Sequence, residues 1–161
     1  MEKTNVMRVL DRCKVRYESH CYLSGEDFSP ENAPSGVEVA AVLGIDVARV
    51  FKTLVTVGKS LNHYVFVIPV ASELDLKKAA SAVGEKSVEM LKFGNLLSVT
   101  GYVHGGCSPI GMKKAFTTVF DVSAKELPTV VFSAGKIGYQ VELAPADLAR
   151  ALKFSYADLT R

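Results

Sequence analysis

Val50-Phe51-Lys52-Thr53-Leu54-Val55-Thr56-Val57 is followed by Gly58-Lys59-Ser60, and then by His63-Tyr64-Val65-Phe66-Val67-Ile68-Pro69. Both runs are apolar and rich in β-branched and aromatic residues, which suit a pleated, half-buried surface. A short polar break with a glycine separates them. The pattern predicts a β-hairpin.

Further strand patterns lie downstream, over Thr117–Val122, Thr129–Ser133 and Tyr139–Leu143. Gly135 and Gly138 bracket a tight turn between the last two. Upstream, Val15, Tyr17, Ser19 and Cys21 alternate with charged residues and read as another strand. Val6, Val9, Leu10 and Cys13 recur at helical spacing, which predicts an amphipathic helix capped at Thr4 or Asn5. Other helices are expected over Val37–Leu43, stopped by Gly44, and over Asp75–Val83, stopped by Gly84. Lys92–Val99 and Asp147–Leu152 are also read as helical, and Ser24–Ser35 as a loop. No repeat, low-complexity tract or linker interrupts the chain. The expectation is one α/β (α+β) domain over residues 1–161, a mixed and mainly antiparallel sheet with helices packed around it.

Composition agrees with a folded domain. The 161 residues suffice for one core, and 48% of them are hydrophobic. Mean hydropathy is positive. A net charge of +2 permits an RNA partner without demanding one. The three cysteines, Cys13, Cys21 and Cys107, are odd in number and fit no ligand spacing, which argues against a disulfide framework or a structural zinc. With no apolar signal core and no membrane-length apolar run, a cytoplasmic protein is expected.

The chemistry-bearing stretch is Gly101-Tyr102-Val103-His104-Gly105-Gly106-Cys107-Ser108-Pro109-Ile110-Gly111. Four glycines and a proline there allow backbone N–H groups to approach a ligand closely, as an oxyanion hole or an anion site would require. A tight structural turn explains the same residues. GxxxxGK[ST] is absent, as is a GxGxxG opening a helix, so nucleotide hydrolysis is not favoured. Lys52, at the start of an apolar strand, is either a surface residue or a cation aimed into a cleft. Cys107 with His104 three residues before it could form an activated thiol, but no third orienting group is visible. Ser108 and Ser133 lie near glycines outside any GxSxG pattern and read as hydroxyl donors. Tyr22 could reach over a pocket rim. Lys77-Lys78, Lys113-Lys114 and Lys136 are either solvated faces or a modest phosphate-contact surface.

Taken in order, several segments resemble the YbaK/EbsC family, which is related to the editing insertion of bacterial prolyl-tRNA synthetases. The matching pieces are Phe51-Lys52-Thr53-Leu54, Leu74-Asp75-Leu76-Lys77-Lys78-Ala79-Ala80, Lys86-Ser87-Val88-Glu89-Met90, Thr100-Gly101-Tyr102, Gly105 through Lys114, Ser133-Ala134-Gly135-Lys136, and Glu142-Leu143 with Asp147-Leu148. They span nearly the whole chain. The resemblance implies a barrel-like sheet and a trans-acting deacylase that clears mischarged tRNA, above all cysteinyl-tRNA for proline. It implies that Lys52 is the key functional residue. It further implies that Tyr22, Thr53, Gly105, Gly106, Ser108, Pro109, Ser133 and Gly135 shape the substrate site. It implies no metal or cofactor, the tRNA 3′ end as ligand, and prolyl-tRNA synthetase as a partner. The substrate's own thiol would be the nucleophile, with Lys52 anchoring the tRNA end and N–H groups near Gly105 and Gly106 holding the carbonyl oxygen. Two positions depart from the family pattern: Cys107 stands where an aliphatic residue is usual, and Gln140 where an acid is usual. A deacylase for another small amino acid such as alanine, a non-catalytic tRNA- or synthetase-binding module, and a thiol hydrolase remain as alternatives.

Overall fold

A computed structural model of the protein describes residues 2–22 and 28–161. The expected loop at Ser24–Ser35 falls partly outside these residues. The chain begins with helix α1 (Asn5–Arg12), whose N-cap Thr4 accepts a hydrogen bond from the N–H of Met7. Strand β1 (Glu18–Cys21) follows, then helix α2 (Gly36–Leu43). The predicted hairpin is present as β2 (Phe51–Gly58) and β3 (His63–Pro69), paired antiparallel from Phe51 opposite Pro69 to Val57 opposite His63. Helix α3 (Leu76–Val83) is capped by Asp75. Strand β4 (Val88–Met90) and helix α4 (Leu96–Thr100) come next. The chain closes with β5 (Thr117–Asp121), β6 (Val130–Ser133), β7 (Tyr139–Leu143), helix α5 (Pro145–Leu148) and β8 (Ser155–Ala157).

The strands form two sheets. One has the order β4-β2-β3-β5-β8, the other β1-β7-β6. Antiparallel pairings predominate, and β3–β5 and β5–β8 are parallel. A parallel bridge between Val50 and Val131 ties the sheets together just before β2 starts. The sheet is therefore mixed but not one closed barrel. The larger sheet ends in the three-residue strands β4 and β8, and neither pairs with the smaller sheet.

Sequence patterning missed β4 and β8, because three residues are too few to show alternation. It also overextended two elements. The strand expected from Val15 starts at Glu18, since the N–H of Val15 bonds back to the carbonyl of Leu10 and Lys14 takes φ +58°, closing α1. The last helix stops at Leu148, and Ala149–Ala151 continue only as turns before β8. The Lys92–Val99 stretch divides into a 3-10 turn at Phe93–Asn95 and α4.

The main core lies between the sheets and α1. Phe120 is fully buried, with ring centroids 6.5 Å from Phe51, 6.3 Å from Phe132 and 5.0 Å from Phe154. A second cluster packs α3 on the other face of the larger sheet, through Phe66, Ile68, Ala79, Ala80 and Leu159. The glycine segment 101–111 is anchored to the main core by Tyr102. Its hydroxyl donates to the carbonyl of Ile110 at 2.6 Å, and that carbonyl is buried. Replacing Tyr102 by Phe leaves the carbonyl without this partner and should cost about 1–3 kcal/mol. Urea unfolding should show a lower midpoint at unchanged slope; an unchanged midpoint would mean that the loop is not held by this bond.

A candidate substrate cleft beside Lys52

Strand β2 carries its side chains alternately to the two faces of the larger sheet. Phe51 and Val55 enter the main core, and Leu54 packs toward α3. Lys52 and Thr53 occupy successive positions between them, opposite Ile68 and Val67. Both border a cleft of about 320 Å³. Its walls come from Tyr22 after β1, residues 34–37 at the start of α2, His104, Gly105 and Cys107 of the glycine segment, and Ser133 with Gln140 of the smaller sheet.

Burial pushes the Lys52 ammonium below the ordinary lysine range, and Glu73 pulls it back only in part. Among the described residues Lys52 makes no ion pair within 4.0 Å. Among the described residues the buried hydroxyl of Thr53 has no hydrogen-bond partner. Such a group costs stability. The start of α2 adds a third polar element. Ser35 and Glu38 form a reciprocal capping box there. The N-terminal end of the helix faces the same space and favours negative charge.

The glycine segment contributes less uniformly than expected. Val103 through Gly106 form a turn, with the Gly106 N–H donating to the carbonyl of Val103 at 2.9 Å and Gly105 at φ +88°. That φ is the conformation a type II turn asks of its third residue. The Gly106 N–H is therefore already taken, and Gly106 does not line the cleft. Its α-carbon packs so close to Lys136 and Ile137 that an added Cβ would lie 3.0 Å from the Ile137 nitrogen. Gly105 does line the cleft, and its N–H has no recorded acceptor among the described residues.

The remaining residues divide in the same way. Tyr22 is buried on the cleft wall, and its backbone N–H bonds to Gly138 at 2.9 Å. Ser133 lines the cleft, and its Oγ accepts from the Gly135 N–H at 3.1 Å. Gly135 itself does not line the cleft; it sits at φ +90° against Tyr102 and Val6. Ser108 is fully buried, its Oγ accepting from the Ile110 N–H at 3.4 Å. Pro109 borders a different hollow, beside Phe116 and Phe154. Ser108, Pro109, Gly106 and Gly135 thus shape the loop from behind, while Lys52, Thr53, Tyr22, Gly105 and Ser133 face the cleft. Sequence reasoning missed the start of α2, although the Ser35-Gly36-Val37-Glu38 capping signal was legible.

Both departures from the family pattern lie on the cleft wall, Gln140 beside its cross-strand partner Ser133 and Cys107 across the cleft. Burial drives the Cys107 thiol up to about 12. His104 makes no hydrogen bond to it; its ring lies tilted against Phe93 instead, centroids 4.9 Å apart. A Cys107–His104 nucleophile is not assembled here. A metal site finds no better support. Glu18, His20 and Glu142 converge within 4.8 Å. However, Glu142 already accepts from Thr129 at 2.6 Å and Arg49 at 3.3 Å, and lies 2.8 Å from His20. Burial pushes the Glu142 carboxyl up, but these partners outweigh it and hold it below the usual range. The basic clusters are partly neutralised. Lys136 pairs with Glu2 and Lys78 with Asp158, while Lys113 and Lys114 are exposed.

A protonated, half-buried thiol reacts slowly with alkylating agents. At pH 8, iodoacetamide should label the exposed Cys21 well before Cys107, as followed by peptide mass spectrometry. Equal or faster labelling of Cys107 would restore the thiol-nucleophile reading.

Comparison with known proteins places this geometry. Residues 30–151 match the family model described as an aminoacyl-tRNA editing domain. EbsC of Enterococcus faecalis, named as a candidate Cys-tRNA(Pro)/Cys-tRNA(Cys) deacylase, is 45% identical over 99% of this chain and 94% of its own length. A proline–tRNA ligase of Thermosipho melanesiensis is 28% identical over 63% of this chain, a match covering 18% of that enzyme. A crystal structure described as a candidate trans-editing enzyme for prolyl-tRNA synthetase shares the fold, with a TM-score of 0.78 at 22% identity over 99% of both chains. The chain is a member of the aminoacyl-tRNA editing domain family.

Proposed function

We propose that the protein is a trans-acting aminoacyl-tRNA deacylase that clears mischarged tRNA, with Cys-tRNA(Pro) as its principal substrate. The observation that carries this reading is the Lys52 ammonium, partly desolvated and without an ion pair among the described residues, at the edge of one small cleft. The protein leaves this ammonium incomplete, and an oxygen-rich ribose or phosphate end would complete it. A cleft of about 320 Å³ suits a small aminoacyl group on its ribose.

The site's chemistry is positioning and charge stabilisation. Cys107 is held protonated, and the hydroxyls of Ser108 and Ser133 are engaged with backbone N–H groups. As the resemblance to the editing family implies, the nucleophile in this reading is the thiol of the substrate's own cysteine. Its sulfur attacks the acyl carbon, the C–O ester bond breaks, and the thiol proton passes to the departing ribose oxygen. The product is a four-membered thiolactone, which water opens to free cysteine, together with uncharged tRNA. The Gly105 N–H, which has no acceptor among the described residues, would hold the carbonyl oxygen as it gains charge, and Lys52 would anchor the terminal nucleotide. Tyr22, Ser133 and Gln140 form the wall around the aminoacyl group, and Cys107 adds a soft, polarisable contact where preference among small side chains is set. No step calls for a metal or an organic cofactor. Such an enzyme works in the cytoplasm beside prolyl-tRNA synthetase, which charges the tRNA that it clears.

The decisive experiment is release of labelled amino acid from cysteinyl- and alanyl-tRNA for proline. Lys52→Met should reduce cysteine release by roughly 100-fold or more. Its effect on stability should run the other way. A lysine whose folded-state pKa is depressed binds its proton more weakly in the folded chain than in the unfolded one. It therefore lowers stability at neutral pH, and stability recovers only as pH rises through the interval between the two values. Lys52→Met should unfold at pH 7 no more easily than the parent. A variant that turns over normally would overturn the assignment of Lys52.

Thr53→Val removes the unsatisfied hydroxyl at nearly constant shape. Its unfolding midpoint in urea should match or exceed that of the parent. A clear loss of stability would show that the hydroxyl is bonded within the protein.

A further inference from the structure

Phe93 stands in the 3-10 turn that leads into α4 and is 55% exposed. Its neighbour is His104, also exposed, with ring centroids 4.9 Å apart and planes inclined by 43°. His104 is at the same time part of the cleft wall, as is Leu96 from the first turn of α4. The two rings thus form a step from the cleft mouth outward over the surface, extended by Leu97, which is 55% exposed.

Cations flank this step. Lys92 precedes Phe93 and is exposed. The Lys113 ammonium lies 3.5 Å from the carbonyl of Ser98, which keeps it beside α4. Neither forms an ion pair within 4.0 Å among the described residues. Exposed aromatic rings between unpaired cations, opening onto a cleft, make the arrangement by which single-stranded nucleic acid is held: bases stack on rings while cations meet phosphates.

We propose that Phe93 and His104 form a stacking platform for the unpaired nucleotides at the acceptor end of the substrate tRNA, with Lys92 and Lys113 facing their phosphates. The proposal rests on the tRNA reading of the cleft and extends it from the ester to the bases. An aminoacyl ester held beside Lys52 is joined to a ribose whose base must leave through the cleft mouth, where the platform begins. Stacking is tolerant of sequence because every base has a π-face. The platform therefore grips the acceptor end that all tRNAs share, and leaves tRNA identity to be read elsewhere.

The chain contains no tryptophan. Phe93→Trp thus installs a single reporter ring at the platform. Titration with an uncharged single-stranded RNA ending in CCA should quench its fluorescence saturably, and 0.5 M salt should weaken the effect. Leu61→Trp, on the distant hairpin turn and 78% exposed, should show no saturable quenching. In deacylation assays Phe93→Ala should raise KM for Cys-tRNA(Pro) roughly tenfold while kcat stays within about twofold, and Phe93→Trp should restore KM. Absence of quenching in Phe93→Trp, or a KM for Phe93→Ala equal to that of the parent, would overturn the platform while leaving the deacylase reading intact. If the parent releases no amino acid, the deacylase reading fails by itself, and the fluorescence titration still decides whether the rings bind RNA.

Discussion

Main-chain pairing along β2 is the constraint on which the rest of the structure depends. This strand bonds to β3 along its whole length and to β4 at its far end. The bridge at Val50 joins it to the smaller sheet. A slip of one residue would exchange its two faces, sending Phe51 and Val55 out of the core and Lys52 into it. The burial of Phe51 and Val55 at 3% exposure each therefore fixes the register. The same register places Lys52 and Thr53 at the cleft. The position of this candidate site is a consequence of packing that would be needed whatever the protein did.

Given that register, the site is built from groups that the fold leaves incomplete. The Lys52 ammonium has lost part of its water, and Glu73 compensates it only in part. Among the described residues the Thr53 hydroxyl has no hydrogen-bond partner. Each is unfavourable in the free protein. Chemistry then depends on where the ligand is held. This accords with a wall on which the thiol is protonated and the hydroxyls are engaged with the backbone.

The glycine segment shows how a conspicuous motif can be mostly structural. Gly106 and Gly135 are glycines because neighbouring atoms leave no room for a Cβ. Tyr102, buried among core residues, bonds the segment to itself through Ile110. Of the expected N–H donors, Gly106 is consumed by the turn that its neighbour Gly105 makes possible. What reaches the cleft is the outer rim, Gly105 with Cys107 and His104, and His104 leads outward to Phe93.

The sequence by itself determined the hairpin, the helix caps at Thr4, Asp75 and Gly44, the mixed α/β fold and, through a resemblance, the candidacy of Lys52. Each is encoded locally, in alternation, in the hydrogen-bonding habits of capping residues, or in a motif of contiguous residues. Tertiary structure alone decided which expected site residues share a cleft. Lys52, Tyr22, Ser133 and Gly105 come from four separate segments, and their convergence depends on strand register and on the meeting of two sheets. It also decided that Ser108 and Pro109 support the loop from behind, that Cys107 is too buried to ionise, and that Thr53 lacks a partner. Burial and hydrogen-bond satisfaction arise from contacts between residues far apart in the chain, and no local pattern records them.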